Sequence, residues 1–126
     1  MRAIDTNVLV RLLVRDDLSQ LAIAEASVAH GAWISLVALA ETMWVVRSAY
    51  SHSREAIAEA VDMLLGHATI IVQEPDVVRA ALGRFKSNGR VAFTDCLLLE
   101  IARKAGHTPL ATFDRDLAKL DGVEGL

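Results

Sequence analysis

Short apolar stretches alternate along the chain with longer segments in which apolar residues recur every three or four positions. The short stretches are the one that runs up to Asp5 and those over 32–35, 69–72 and 109–112. Each is too short for a helix and is predicted as a strand. The longer segments are bracketed by helix start and stop residues. Thr6 is predicted to cap a first helix over 6–14, and Asp17 with Gln20 makes a capping-box-like start to a second that stops at Gly31. Ser35 caps a third helix running to about Ala49, and Ser53 a fourth that ends near Gly66. Pro75 suits the first position of a fifth helix that ends about Ser87, and Thr94 is predicted to cap a sixth closed by Gly106. One helical turn follows over 116–120. Apolar strands this short, each followed by a helix, predict an α/β fold with a parallel sheet buried on both faces. No linker, repeat or low-complexity segment divides it, so a single domain over 1–126 is expected.

Composition narrows this picture. The chain has 126 residues, 53% hydrophobic but only 5% aromatic, so its core must be built from Ala, Val, Leu and Ile. A net charge of -3 argues against holding nucleic acid by bulk electrostatics, although a local basic rim is compatible with it. The apolar runs stop well short of a membrane span and no signal peptide is visible, so a cytoplasmic protein is expected. A single cysteine, Cys96, forms no internal disulfide and no zinc site, and is expected to be a small buried hydrophobe. His30, His52, His67 and His107 lack metal-ligand spacing and are expected on the surface or in loops.

The acidic residues carry the chemistry. Open parallel sheets gather their sites at the carboxyl ends of strands. Asp5 ends the first strand and is the only charge between Arg2 and Arg11; Glu41 is the only one between Gly31 and Val46. Asp95 stands alone between Arg90 and Glu100, and Asp114 lies just past the last predicted strand. Taken singly, each has an ordinary explanation as a helix cap, a turn residue or the partner of an arginine such as Arg47 or Arg11. Asp5 in particular, set among apolar residues, is expected to be buried and in want of a cation. Four carboxylates at one sheet edge, without a matching set of buried lysines or arginines, would repel one another. A hard divalent cation relieves that repulsion, and all-oxygen ligands favour Mg²⁺ or Mn²⁺.

The blocks Ile4-Asp5-Thr6-Asn7-Val8-Leu9, Ser35-Leu36-Val37-Ala38-Leu39-Ala40-Glu41, Phe93-Thr94-Asp95-Cys96-Leu97-Leu98 and Ala111-Thr112-Phe113-Asp114-Arg115-Asp116-Leu117 resemble the four ordered motifs of the PIN-domain family. Size and order resemble especially its VapC-type toxins of toxin–antitoxin pairs. The resemblance implies a PIN-like three-layer α/β/α fold with a short central parallel sheet, and a Mg²⁺- or Mn²⁺-dependent endoribonuclease. It implies Asp5, Glu41, Asp95 and Asp114 as the catalytic and metal-binding acids, with Asp116 as a substitute for Asp114. Thr6, Asn7 and Thr112 are its polar supports. A housekeeping RNA-processing nuclease, one acting on DNA, or a PIN-like binding module with weak catalysis would carry the same motifs.

Partners follow from what remains. Arg84, Lys86 and Arg90 flank the loop before Asp95, and Arg115 adjoins Asp114; these either grip RNA phosphates or form a solvated basic face. No aromatic-rich platform is visible, which disfavours a stacking-based RNA-binding module. The third helix, with Met43, Trp44, Val45 and Val46, is apolar on nearly every side and is expected to be buried all round, in part by a homodimer. Leu9, Leu12, Leu13, Leu18, Leu21 and Ile23 of the first two helices either complete the core or line a groove. By resemblance, the C-terminal segment of a VapB-type antitoxin would occupy that groove.

Overall fold

Side-chain caps decide where most of the helices begin. In the computed structural model, which describes Met1–Leu126, Asp17 accepts from the Gln20 N–H at 3.0 Å and starts α2 (Leu18–Val28). Ser35 accepts from Ala38 N–H at 3.0 Å and starts α3 (Leu36–Ser48), and Ser53 does the same for α4 (Arg54–Leu65) through Ala56. These match the sequence-based starts. Two others do not. The first helix, α1 (Thr6–Val14), is capped by Asp5 instead of Thr6, because the Asp5 carboxylate reaches the Val8 N–H at 3.1 Å. In α6 (Phe93–Lys104) Thr94 lies inside the first turn and the cap position is Ala92, with no side-chain hydrogen bond. Pro75 opens α5 (Pro75–Ser87) as expected, where its missing N–H is no loss.

The chain forms two compact units, Met1–Pro75 and Asp76–Leu126. In the first, β1 (Arg2–Ala3), β2 (Ala32–Ile34) and β3 (Ile70–Val72) pair in parallel in that order. Ala32 stands opposite both Arg2 and Ile70. The ladder continues beyond the strands through Ile4 N–H to Trp33 O at 3.0 Å and Gln73 N–H to Ile34 O at 2.8 Å. Gln73 also accepts the Leu36 N–H at 2.9 Å through its side chain, which ties the start of α3 to the end of β3. Helix α1 packs against α2 and α3, and α4 against β3. Leu9, Ile34, Leu39, Val46, Val61 and Leu64 close this core, each such side chain contributing about 1.5–3 kcal/mol of transfer free energy.

The second unit pairs β4 (Leu110–Thr112) in parallel with β5 (Val123–Gly125), across a connection that holds one 3₁₀ turn, Leu117–Lys119. The sequence reading did not anticipate β5, whose Val-Glu-Gly is too short and polar to register. Gly122 precedes it at φ +84, a left-handed conformation that favours glycine. The core of this unit is Val78, Ala81, Phe85, Phe93, Leu97 and Leu99, with the two rings edge to face at 5.9 Å. Cys96 is free and buried, and none of the four histidines is buried. No helix is long and apolar enough to cross a membrane. The α/β class and its parallel strands are as predicted. The third helix departs from expectation: Met43 and Val46 are buried, but Val37 and Trp44 are exposed, so within the chain α3 is not covered all round.

Candidate functional site

Asp5 sits where β1 gives way to α1. One of its oxygens caps the helix through Val8, which places the carboxylate at the positive end of the α1 dipole. The expectation that it is buried fails: Asp5 is exposed at the start of the helix it caps. The next residue, Thr6, donates its hydroxyl to Glu41 Oε1, joining the first turn of α1 to the middle of α3. Glu41 is itself exposed, one position before the fully buried Thr42, whose hydroxyl bonds back to Ala38 O at 2.7 Å. Asn7 is exposed and lines a 350 Å³ groove between α1 and α2 with Val8, Arg11 and Ile23. Of the leucines proposed for that groove, Leu9 and Leu21 are in the core while Leu18 is exposed.

In the second unit Asp95 occupies the first turn of α6 and is half-buried. Burial pushes its pKa up, and the charge of Asp114 pushes it further. Asp114 follows β4 in a tightly specified turn. Its own N–H donates to the Thr112 hydroxyl at 3.0 Å, and its Oδ1 accepts from the N–H groups of Asp116 and Leu117, both at 2.9 Å. Asp116 instead faces Lys119 at 3.6 Å. Within its own unit, none of Asp5, Glu41, Asp95 and Asp114 has a lysine or arginine partner. Nor do three or more His, Cys, Asp or Glu side chains group within either unit as a metal ion would need. The acids therefore fall two to a unit: Glu41 is bonded to Thr6, the residue next to Asp5, and Asp95 feels the charge of Asp114.

The basic residues divide. Arg84 is committed to Glu100, its Nε 3.1 Å from Oε1, while Arg103 approaches the other oxygen at 3.5 Å and donates to Asp121 O at 3.0 Å. Arg90 and Arg115 are exposed in turns, and Lys86 is exposed near the end of α5. The sequence reading missed Glu100, a carboxylate only 6% exposed that joins α5 to α6. The one legible signal was Arg103 three positions on, a spacing that brings side chains together on a helix.

Residues 3–123 match the PIN domain family. The chain belongs to the PIN domain family. Among solved structures, this PIN domain is similar to the Mycobacterium tuberculosis toxin VapC20, described as cleaving the sarcin-ricin loop. The two share 20% identity over 98% of each chain, with a TM-score of 0.46. No curated protein matches this PIN domain in sequence.

Proposed function

We propose that this PIN domain is a metal-dependent endoribonuclease of the VapC type, acting in the cytoplasm and held in check by a cognate VapB-type antitoxin. The observation that carries the reading is the pairing of acids at the four motif positions of a PIN chain, with no cation matched to either pair in its own unit. The donor set fits a hard ion. Mg²⁺ keeps several of its waters and needs only one or two carboxylates, which a pair supplies, and Mn²⁺ accepts the same oxygens. Burial and the charge of Asp114 both work against an ionised Asp95, so it has the most to gain from a cation.

Asp5 and Asp95 would hold the ion, with Glu41 and Asp114 completing the set. When bound, Mg²⁺ or Mn²⁺ would polarise the scissile phosphate and acidify the attacking water. Glu41, positioned by the Thr6 hydroxyl, would orient the attacking water or accept its proton as general base. Thr112 and the backbone of the following turn fix Asp114, whose charge Asp95 feels. That coupling favours Asp114 over Asp116, which is paired with Lys119. Arg90, Arg115 and Lys86 grip phosphates, whereas Arg84 is drawn away by Glu100. The groove between α1 and α2, next to Asp5 in sequence at Asn7, receives the antitoxin segment. A homodimer belongs to the same reading, and solution mass at micromolar concentration tests it.

The test of the reading is cleavage of total RNA by the purified chain in Mg²⁺ or Mn²⁺ and in EDTA, followed by sequencing of the new ends. Discrete cuts that vanish in EDTA and in Asp5→Asn and Asp95→Asn are expected. Equal cutting by folded variants would contradict it.

A further inference from the structure

The chain has two tryptophans, one tyrosine and three phenylalanines. Four of these rings are accounted for. Phe85 and Phe93 pack on each other in the core, Trp33 is partly covered in β2, and Tyr50 lies under the Arg11 guanidinium and accepts a hydrogen bond from it at 2.7 Å. The remaining two, Trp44 and Phe113, are 62% and 84% exposed. Both adjoin a motif acid: Trp44 lies three residues after Glu41 on α3, and Phe113 immediately precedes Asp114. At helical spacing Val37, Glu41, Trp44 and Ser48 form one exposed stripe, so the indole lies on the same face as the carboxylate, one turn away.

We infer that Trp44 is a substrate-positioning residue on which a base of single-stranded RNA stacks beside Glu41, with Phe113 playing the same part beside Asp114. The inference rests on the ribonuclease reading. In an acidic chain of net charge -3, whose Arg84 is tied to Glu100, contacts that are not ionic add to what the few exposed basic residues supply. Aromatic faces supply such contacts without regard to sequence, because every base has a π-face. A second copy of the chain is the other candidate to cover the indole. The stripe argues against it, since Glu41 sits between Val37 and Trp44, and a twofold contact centred there would bring two carboxylates together in a drying interface.

Two measurements on the full chain test this. The first uses Trp33→Phe protein, in which Trp44 is the only indole, titrated with a mixed-sequence single-stranded oligoribonucleotide with Ca²⁺ in place of Mg²⁺. Saturable fluorescence quenching is expected, and its absence overturns the inference. The second compares steady-state cleavage by Trp44→Ala and Trp44→Phe. Trp44→Ala should raise KM by roughly five- to 150-fold with kcat little changed and the salt dependence unaltered, and Trp44→Phe should recover most of the loss. A wild-type KM in Trp44→Ala overturns the inference while leaving the nuclease reading intact. A fall in solution mass from dimer to monomer in Trp44→Ala also overturns it, in favour of a second copy. Quenching without any cleavage would support the stacking and overturn the nuclease reading instead.

Discussion

The two acid pairs are made of the same chemical groups, and they differ at one member, Asp95. Asp5 and Glu41 are exposed, and each is engaged by a donor, the Val8 N–H and the Thr6 hydroxyl. Asp5 earns a place in the fold, since it starts α1. Asp95 is half-buried, and burial and Asp114 both work against its charge. Asp5 thus supports the fold by itself, whereas Asp95 is held in place at a cost. Where a carboxylate serves only structure, stability and function change together on mutation; where it serves only chemistry, they part.

The largest expected effect tests whether the pairs act jointly. Asp5→Asn and Asp95→Asn should each lower the rate of RNA cleavage by about a thousandfold, the scale of a lost charge-stabilising metal site. Loss in only one of them, measured as single-turnover rates in Mn²⁺, would break the symmetry between the pairs. The next effect separates a structural acid from the site. Glu100→Ala strands Arg84 and Arg103, both partly solvated, and should cost about 2 kcal/mol in urea unfolding. Asp5→Ala should cost about 1 kcal/mol as a lost helix cap, while Asp5→Asn, a competent cap, stays near wild type in the same assay.

The smallest effect is the sharpest. A carboxyl whose folded pKa is raised has its stability cost absent at low pH, where it is protonated in both states. The cost appears as pH rises from the ordinary carboxyl range through the raised value, because the unfolded chain ionises first. In EDTA, Asp95→Asn should therefore melt higher than wild type at neutral pH, with the gap closing on acidification. A lower melting temperature at neutral pH would show that Asp95 is not strained.

Most of the scaffold was legible because its determinants are local. Asp17, Ser35, Ser53 and Pro75 mark helix starts through bonds that span three residues, and the chain folds as those rules say. Where two candidates adjoin, as in Asp5-Thr6, locality does not choose. Asp5 took the cap, and Thr6 was freed to reach Glu41, thirty-five positions away. Three of the motif acids, Asp5, Glu41 and Asp95, were legible as isolated charges, but their solvation was not: Asp5 looked buried and is exposed. Glu100, an ordinary helix residue in sequence, is the carboxylate that the fold buries. Exposure of Trp44 was equally hidden, since its apolar neighbours suggested a helix covered on every side.

The central claim is that a divalent cation completes these acids, and the dependence of thermal stability on Mn²⁺ tests it without any assay of cleavage. An ion that binds only the folded chain raises its melting temperature with concentration. Wild type should show that rise, and Asp5→Asn and Asp95→Asn should each lose it. A melting temperature in the wild-type chain that does not respond to Mn²⁺, or responds equally in both variants, would contradict the account.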